Sequence, residues 1–485
     1  MPMKSGRQII AAVLTTLMTV TLTVNTAVNV YATGITTTEN VQTTDGVTAP
    51  DGTQALTPEQ QKAQELQQAY DMPVESNGYK DWPQGPGTYG EAGIVMEVGT
   101  GAILYAKNID AHEYPASITK VLTALVALEN GKLTDNVTFS HDSVAFLQRG
   151  DSSVGLKEGN VITLDQALHA MLLASANEAA YAIGESVGVN AGHDYNWFIE
   201  QMNTRCKELG GENSNFVNTN GLHDPNHYTC ARDMALIGRE LFKHPEFFQI
   251  VQTLSYTIPA SDTTEEHAFY QKHKMLQPAN SNYYPYTIGG KTGYTTDALS
   301  TLITMADNGQ TQLVCVVLRT HGKNIYPDTK NLFEYAFNNF TKVDVTTQEK
   351  SEDIAQFLTE DGQTEPNYVM LPNGVEFASL DQQITQDEDN SSTGTVTYSY
   401  DGHELGSARV ELSDTYLKAH TDSTQKNTKA NDSSRKQTKS EKIQLFKTTE
   451  GKIILGLGVL LVILIIAFVV MAVRIRKKHS KKKKQ

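Results

Sequence analysis

Residues 93–105 predict a strand pair near the start of the folded chain: Gly93-Ile94-Val95-Met96-Glu97-Val98-Gly99-Thr100-Gly101-Ala102-Ile103-Leu104-Tyr105. Apolar and β-branched residues fill both halves, and the Gly-Thr-Gly between them supplies the turn. Strand patterns of this domain return at residues 286–291, 299–305 and 312–319. We therefore expect a sheet assembled from both ends of one domain, with the residues in between available to cover it.

Helical patterns fill the interval between these two groups of strands. Apolar residues recur at helical spacing through residues 117–129, and an Asn-Gly pair then supplies the stop. Residues 164–187 predict two helices separated near Ala174 and Ser175. The fold class is therefore α+β, with helices packed around an antiparallel sheet. Further helices are predicted at residues 195–209, 232–242 and 331–340.

The chain changes character after residue 341. Residues 342–417 contain short β-rich runs and predict a small all-β domain. Residues 418–452 are rich in Lys, Thr, Ser and Gln, and they predict a disordered stalk. The β-rich runs lie at residues 343–345, 368–371, 375–377, 395–400 and 405–412.

Both ends of the chain carry membrane signals. A basic start, an apolar run and a small-x-small site predict a cleaved signal peptide at residues 1–32, with a retained N-terminal anchor as the alternative. Residues 33–80 are polar and predict a flexible leader with a short helical stretch near residues 57–70. Residues 453–473 carry no charge and are long enough to span a bilayer as a helix. The basic segment 474–485 follows, so the positive-inside rule predicts a cytoplasmic tail and an extracellular body.

Composition limits the function classes. The chain has 485 residues and a formal net charge of −15, which disfavours a general role in binding nucleic acid. The three cysteines, Cys206, Cys230 and Cys315, allow at most one disulfide. Their spacing matches no metal site, and we predict buried, unpaired thiols.

Ser117-Ile118-Thr119-Lys120 is the first candidate for chemistry. A serine and a lysine three positions apart share one helical face. Ser117 follows Pro115 at the predicted N-terminus of a helix, where the helix dipole favours negative charge. A serine hydroxyl needs a base to become a nucleophile, and a lysine can serve when burial and a neighbouring cation lower its pKa.

Two further motifs follow in the chain. Ser175-Ala176-Asn177 lies at the predicted helix break, where Ser175 is suited to relay a proton and Asn177 to hold the base and a substrate amide. Lys291-Thr292-Gly293 lies on a predicted strand and is suited to bind a carboxylate, with Gly293 allowing a substrate backbone to approach. Taken singly, the first is also compatible with a local cap and the second with a solvated strand end.

In this order, the three motifs resemble the S-x-x-K, S-x-N and K-T-G signature of the penicillin-binding serine acyltransferases. Longer blocks make the chain similar to the low-molecular-mass D-alanyl-D-alanine carboxypeptidases. The resemblance spans roughly residues 93–417 and implies a penicillin-binding, β-lactamase-like domain at 81–341, followed by the small β-rich domain at 342–417. The similar blocks are residues 114–120, 174–180, 220–223, 227–235 and 290–295.

Two features depart from that family pattern. Cys230 stands where the family usually carries Thr or another small residue. The predicted anchor spans the membrane, whereas many relatives end in a short amphipathic helix that lies on it. Neither departure touches the residues of the three motifs.

The resemblance implies removal of the terminal D-alanine from peptidoglycan stem peptides. Ser117 would form the acyl-ester, Lys120 would accept its proton, and Ser175 with Asn177 would complete the catalytic set. The backbone N–H groups of Ser117 and Tyr294 would hold the oxyanion. Substrate binding would fall to Lys291, Thr292, Gly293, Tyr294 and Thr295.

The same resemblance implies the partners and the location. β-Lactam antibiotics would acylate Ser117 as covalent inhibitors, and no metal or cofactor is needed. No nucleic-acid partner is expected. The protein is predicted to be a single-pass protein of the cell membrane, with its catalytic domain outside and its C-terminal tail in the cytoplasm.

Three other functions fit parts of the pattern. A class A-like β-lactamase needs a glutamate in an E-x-x-x-N element, but Phe216 stands where the asparagine would follow Glu212. A transpeptidase would use the same acyl-enzyme with an amine acceptor. A catalytically silent wall-binding scaffold is disfavoured, because all the motif residues are present together. For His227 and Asp233, structural hydrogen bonding is favoured over catalysis.

Overall fold

The computed structural model describes residues 56–358, 367–388 and 392–420. The predicted signal peptide at 1–32, the leader up to residue 55, the stalk from residue 421, the transmembrane segment at 453–473 and the basic tail lie outside the described residues. Within the described part of the chain, no helix is long and apolar enough to cross a bilayer.

Helices and short hairpins separate the two groups of long strands, as the sequence predicts. A 3-10 turn, Ala116–Thr119, leads directly into the first long buried helix. The elements of this part are α1 (Pro58–Asp71), β1 (Ala92–Glu97), β2 (Ile103–Lys107), α2 (Lys120–Asn130), β3 (Asn136–Thr138), α3 (His141–Ala145), β4 (Val161–Thr163), α4 (Leu164–Leu173), α5 (Asn177–Asn190), α6 (Tyr195–Glu208), α7 (Ala231–Glu240), α8 (Pro245–Val251), β5 (Ser255–Ile258), β6 (His267–Tyr270), β7 (Thr287–Thr295), β8 (Leu299–Asp307), β9 (Gln312–Thr320) and α9 (Ile325–Asn339).

The central sheet joins the two ends of this part of the chain. Its five strands are antiparallel and lie in the order β2-β1-β9-β8-β7. The predicted hairpin of β1 and β2 is confirmed, as are the three later strands. Strand β7 pairs with β8 and lies at an edge of the sheet, so the backbone on its other side is open to a ligand.

Strand β9 shows how the core is divided. Val314, Val316 and Leu318 belong to an apolar cluster with helices α2, α4, α5 and α7. The alternate residues Cys315 and Val317 point into a second cluster that contains helix α9. The strand is thus buried on both faces, which explains its uninterrupted apolar sequence.

The β-rich segment after α9 packs on that second cluster. Tyr398 and Leu405 share the cluster with Trp82 and Phe340, and the Tyr368 hydroxyl donates to Glu97 Oε1 at 2.8 Å. Strands β10 and β12 form one pair, and the other four form a sheet in the order β11-β15-β14-β13. The elements are β10 (Phe340–Asp344), α10 (Val345–Gln348), β11 (Ile354–Phe357), β12 (Tyr368–Pro372), β13 (Asp381–Gln386), β14 (Thr393–Tyr400) and β15 (His403–Leu412).

Some element predictions were wrong. Residues 375–377 are not a strand, because Gly374 takes a φ of +97° and a 3-10 turn begins at Phe377. Ser117 lies in a 3-10 turn rather than in an α-helix. The short hairpins β3–β4 and β5–β6 were missed, as were β11 and β13, because short or polar strands carry little alternation of apolar residues.

Helix α1 and the residues that follow it lead into the sheet. The predicted helical stretch is confirmed by α1, and Ser76 and Trp82 are buried. The amine of the fully buried Lys107 donates to the carbonyl oxygens of Ala69 and Gly90 at 2.6 and 2.9 Å, which fastens this segment to β2. The prediction of unpaired thiols is confirmed, since Cys206, Cys230 and Cys315 are free and buried.

Candidate active site

A cleft of about 730 Å³ opens beside the edge strand β7. Ser117 lies in its floor, together with Ser175 and Asn177. Thr292, Gly293, Tyr294 and Thr295 of β7 also line the cleft. The three motifs, which are far apart in sequence, therefore meet at one place.

The turn that carries Ser117 is tightly packed. Ala116 has a φ of +50°, a conformation that costs energy for a residue with a side chain. Gly221 fits beneath this turn, and a Cβ at that position would overlap the Ala116 carbonyl. The Thr119 hydroxyl is 2.8 Å from Nε2 of the buried His227, whose Nδ1 accepts from the Val217 N–H at 3.0 Å. Burial lowers the pKa of His227 to about 4, so this histidine is a neutral structural group.

Lys120 lies directly under Ser117. Its amine is 3.1 Å from Ser117 Oγ and donates to Asn177 Oδ1 at 2.8 Å and to the Asn220 carbonyl at 2.5 Å. Lys120 is fully buried. Burial, and then the positive charge of Lys291, hold the pKa of Lys120 well below its ordinary value. The neutral form of this amine is therefore more accessible than that of an exposed lysine.

A second buried lysine lies on the other side of the cleft. Lys291 donates to Ser175 Oγ at 3.0 Å and to the Thr292 carbonyl at 2.7 Å. Burial, followed by the nearby charge of Lys272, lowers the pKa of Lys291 to about 7. Ser175 has a φ of +64° at the break between α4 and α5, which turns its backbone toward the cleft. His273 lies behind this lysine, and burial lowers the pKa of His273 to about 3.

Gly293 allows the edge strand to reach the nucleophile. A Cβ on Gly293 would lie 2.9 Å from the Ser117 backbone nitrogen and would overlap Thr301 Oγ1. The Thr301 hydroxyl in turn donates to the Pro115 carbonyl at 2.8 Å, which joins the sheet to the Ser117 turn. The backbone nitrogen of Ser117 thus lies close to β7, and both Ser117 and the next strand residue, Tyr294, line the cleft.

The structure brings all nine predicted site residues together. Lys120 and Lys291 lie buried under the floor, while Ser117, Ser175 and Asn177 reach the cleft. Tyr294 is 67% exposed and forms part of the rim.

Asp233 lies away from the cleft lining. Its carboxylate accepts hydrogen bonds from Asn213 N at 2.8 Å and from Ser214 Oγ at 2.7 Å, so its contacts are structural.

Several residues near the site were not predicted from the sequence. Lys272 and the loop 148–152 line the cleft, and Glu178 is buried just behind Asn177. No motif marks Lys272 or the loop 148–152, because these residues become neighbours only through the fold. For Glu178, a sequence signal was available in its place directly after the Ser-x-Asn motif.

Comparison with known proteins identifies the family. The family model described as D-alanyl-D-alanine carboxypeptidase matches residues 83–322. D-alanyl-D-alanine carboxypeptidase DacB2 of Mycobacterium tuberculosis is 31% identical over 55% of this chain and 88% of its own length. The chain belongs to the D-alanyl-D-alanine carboxypeptidase family. It is a serine-type peptidase, and the resemblance read from the three motifs is confirmed.

Other D-alanyl-D-alanine carboxypeptidases match a larger share of the chain. DacF of Bacillus subtilis is 26% identical over 68% of this chain and 86% of its own length. Among solved structures, the Streptomyces K15 DD-transpeptidase is 27% identical over 53% of this chain and 100% of its own, with a TM-score of 0.49.

The nearest candidate for the glutamate that a class A-like β-lactamase would need is Glu212. This residue is exposed and does not line the cleft.

The tight approach at Gly293 gives a testable prediction for this carboxypeptidase. Gly293→Ala should lower the rate of D-alanine release at least about 100-fold, because the new methyl group forces the strand away from Ser117. Gly78→Ala is the matched control, since nothing lies within 4 Å of a Cβ at that position. Similar rates for wild type and Gly293→Ala would show that the approach has no role in catalysis.

Proposed function

We propose that the chain removes the terminal D-alanine of peptidoglycan stem peptides through an acyl-enzyme on Ser117, and that β-lactams acylate the same hydroxyl. The observation that carries this proposal is the buried amine of Lys120, 3.1 Å from Ser117 Oγ and held by two oxygens. This arrangement matches a nucleophile with its base.

The partners of Lys120 determine how it acts as a base. The oxygens of Asn177 and of the Asn220 backbone can only accept hydrogen bonds. A neutral amine has two N–H bonds and one lone pair, so its two N–H groups stay on these oxygens. The lone pair then faces Ser117 Oγ and can take the hydroxyl proton as Oγ attacks the carbonyl carbon.

The remaining steps use groups of the same cleft. The backbone N–H groups of Ser117 and Tyr294 stabilise the oxyanion, each worth about 3 kcal/mol. Ser175 passes its proton to the leaving D-alanine nitrogen as the peptide bond breaks and takes up in return the proton that Lys120 received from Ser117, so Lys120 is neutral again. Water then attacks the ester carbonyl while Lys120 takes a proton from it, and as the ester C–O bond breaks Lys120 returns that proton to Ser117 Oγ, which restores both residues. The net reaction adds one water across the peptide bond.

Substrate binding follows from the open edge of β7. A stem peptide lying along this edge pairs with the backbone near Gly293, Tyr294 and Thr295, as an added strand. The Thr292 hydroxyl faces the terminal carboxylate. Lys291 is buried, so its charge acts on the carboxylate from behind Thr292 and Ser175.

The proposed acyl-enzyme is tested by mass spectrometry after exposure to penicillin. A penicilloyl adduct should form on Ser117 and be absent from Ser117→Ala, because Ser117 is the hydroxyl that Lys120 contacts in the described part of the chain. Ser281→Ala, at an exposed serine outside the cleft, should be acylated like wild type. An unacylated wild type that also releases no D-alanine from a pentapeptide would refute the proposal.

The pKa of Lys291 predicts a pH dependence of substrate binding. Its charge is present below about pH 7 and is lost above it. The KM for a pentapeptide should therefore rise as the pH increases through about 7, because the terminal carboxylate loses its cation. A peptide with an amidated C-terminus lacks the carboxylate, and its KM should not follow this change. Equal pH dependence of the two KM values would contradict the role of Lys291.

The location is a further part of the proposal. The sequence of residues 1–32 and 453–485 supports export of the catalytic domain and a single C-terminal anchor with a cytoplasmic tail. The full chain should then remain in membranes after alkaline carbonate extraction, whereas a chain ending at residue 452 should be released. A full chain that is extracted into the soluble fraction would refute the anchor.

A further inference from the structure

One wall of the cleft is a loop without regular secondary structure. Residues 148–152 line the cleft on the approach to Ser117, and the loop continues to Gly155. Gly150 and Gly155 have positive φ values of +106° and +84°. A cleft wall with little internal structure must be held in place by contacts with its surroundings.

The main contact of this loop is the carboxylate of Glu178. Glu178 lies in α5 and is fully buried. Its Oε1 accepts from Ser153 Oγ at 2.6 Å, from Val154 N at 2.8 Å and from Gly155 N at 3.2 Å. Bonds to a charged acceptor are stronger than those between neutral groups, so this single oxygen is the principal anchor of the loop.

Two more bonds join the loop to the active site. The backbone N–H of Asn177 donates to the Ser152 carbonyl at 2.8 Å. Lys272, which also lines the cleft, approaches Ser152 Oγ at 3.3 Å. Asn177 holds the amine of Lys120 and directly precedes Glu178, so the loop and the base share one support.

We propose that Glu178 is a positioning residue for the carboxypeptidase reaction, which fixes the cleft wall at residues 148–152 relative to Asn177 and Lys120. This inference rests on the proposed function of Ser117 and deepens it. Nothing in the three motifs requires an acid at this position. Its role follows from the three bonds of Oε1 and from the position of the adjacent loop in the cleft lining.

The second oxygen of Glu178 adds a charge effect. Oε2 is buried and has no hydrogen-bond partner among the described residues. The lysines on which the charge of Glu178 acts are Lys120 and Lys272, and Lys291, Lys272 and Asp151 are the other charges that act on Lys120. The negative charge of Glu178 raises the pKa values of Lys120 and Lys272 against the lowering effect of burial. Glu178 therefore makes the Lys120 amine, beside Ser117, more basic than burial alone would leave it.

Two substitutions separate these effects. Glu178→Gln keeps an acceptor for the loop and removes the charge, while Glu178→Ala removes both. Glu185→Gln is the matched control, because Glu185 lies on the same helix and accepts from Ser140 Oγ at 2.6 Å, away from the cleft. Each purified chain is compared with wild type in pentapeptide kinetics, and in hydrogen exchange of the segment 148–156.

The loop effect should appear in Glu178→Ala. Its backbone N–H groups at Val154 and Gly155 should lose protection, and the KM for the pentapeptide should rise about tenfold or more, since a misplaced wall misaligns the substrate. Ser153→Ala removes one of the three bonds and should give a smaller change in the same direction, which keeps the test available if Glu178→Ala does not fold. Unchanged protection and KM in Ser153→Ala and in folded Glu178→Ala would overturn the proposal.

The charge effect should appear in Glu178→Gln. Lys120 must be unprotonated to act, so kcat/KM rises with pH through its pKa. Loss of the negative charge lowers that pKa, and the acidic limb of the profile should move to lower pH while loop protection stays near wild type. Glu185→Gln should leave the profile unchanged. A profile for Glu178→Gln identical to wild type would overturn the charge effect.

The proposed function is tested separately by the wild-type penicilloyl adduct on Ser117. If the adduct forms and the Glu178 variants behave like wild type, only the positioning role fails. If wild type forms no adduct and releases no D-alanine, the proposed function itself fails, and the role of Glu178 in that reaction fails with it.

Discussion

The burial of two lysine amines beneath one cleft is the constraint on which the active site depends. Lys120 and Lys291 are both removed from water, and each amine is met by neutral oxygen atoms. An isolated buried ammonium is costly, so each pKa falls. The two charges also oppose one another. A pair of buried amines that is unfavourable for stability therefore supplies a base of lowered pKa on one side and, with a pKa of about 7, a titratable cation on the other.

The fold arranges this burial with local strain. Ala116 and Ser175 both take positive φ values next to the residues that carry the chemistry. The sheet compensates by packing closely against the Ser117 turn through Gly293 and Thr301. Rigid elements thus hold a strained turn, which is the usual condition for a preorganised site.

Much of this could be predicted from the sequence, because the three motifs report local chemistry. The helix break at Ser175, the hairpin of β1 and β2 and the strand at Lys291 were all read from local patterns. The family followed from the same residues. The short polar strands β11 and β13 escaped prediction, since their partners rather than their own periodicity make them strands.

Contacts between distant segments could not be read in this way. Lys272 reaches Ser152 across 120 residues, and Glu178 holds a loop more than 20 residues earlier in the chain. No spacing rule links such positions. The buried acceptor for Lys120 at Asn220 is a backbone carbonyl. Any residue type would supply such a carbonyl, so the amino-acid sequence does not indicate this contact.

The open edge of β7 also affects how the protein can associate with other molecules. A strand that can accept a substrate backbone can also accept the edge of another molecule, which is the first step of sheet aggregation. Gly290, at a φ of +146°, and the inward-pointing Lys291 interrupt the regular strand at this edge. Irregular backbone and inward charge are means by which proteins discourage foreign strands. The residues that serve the peptidase thus also hinder edge-to-edge pairing between two copies of it.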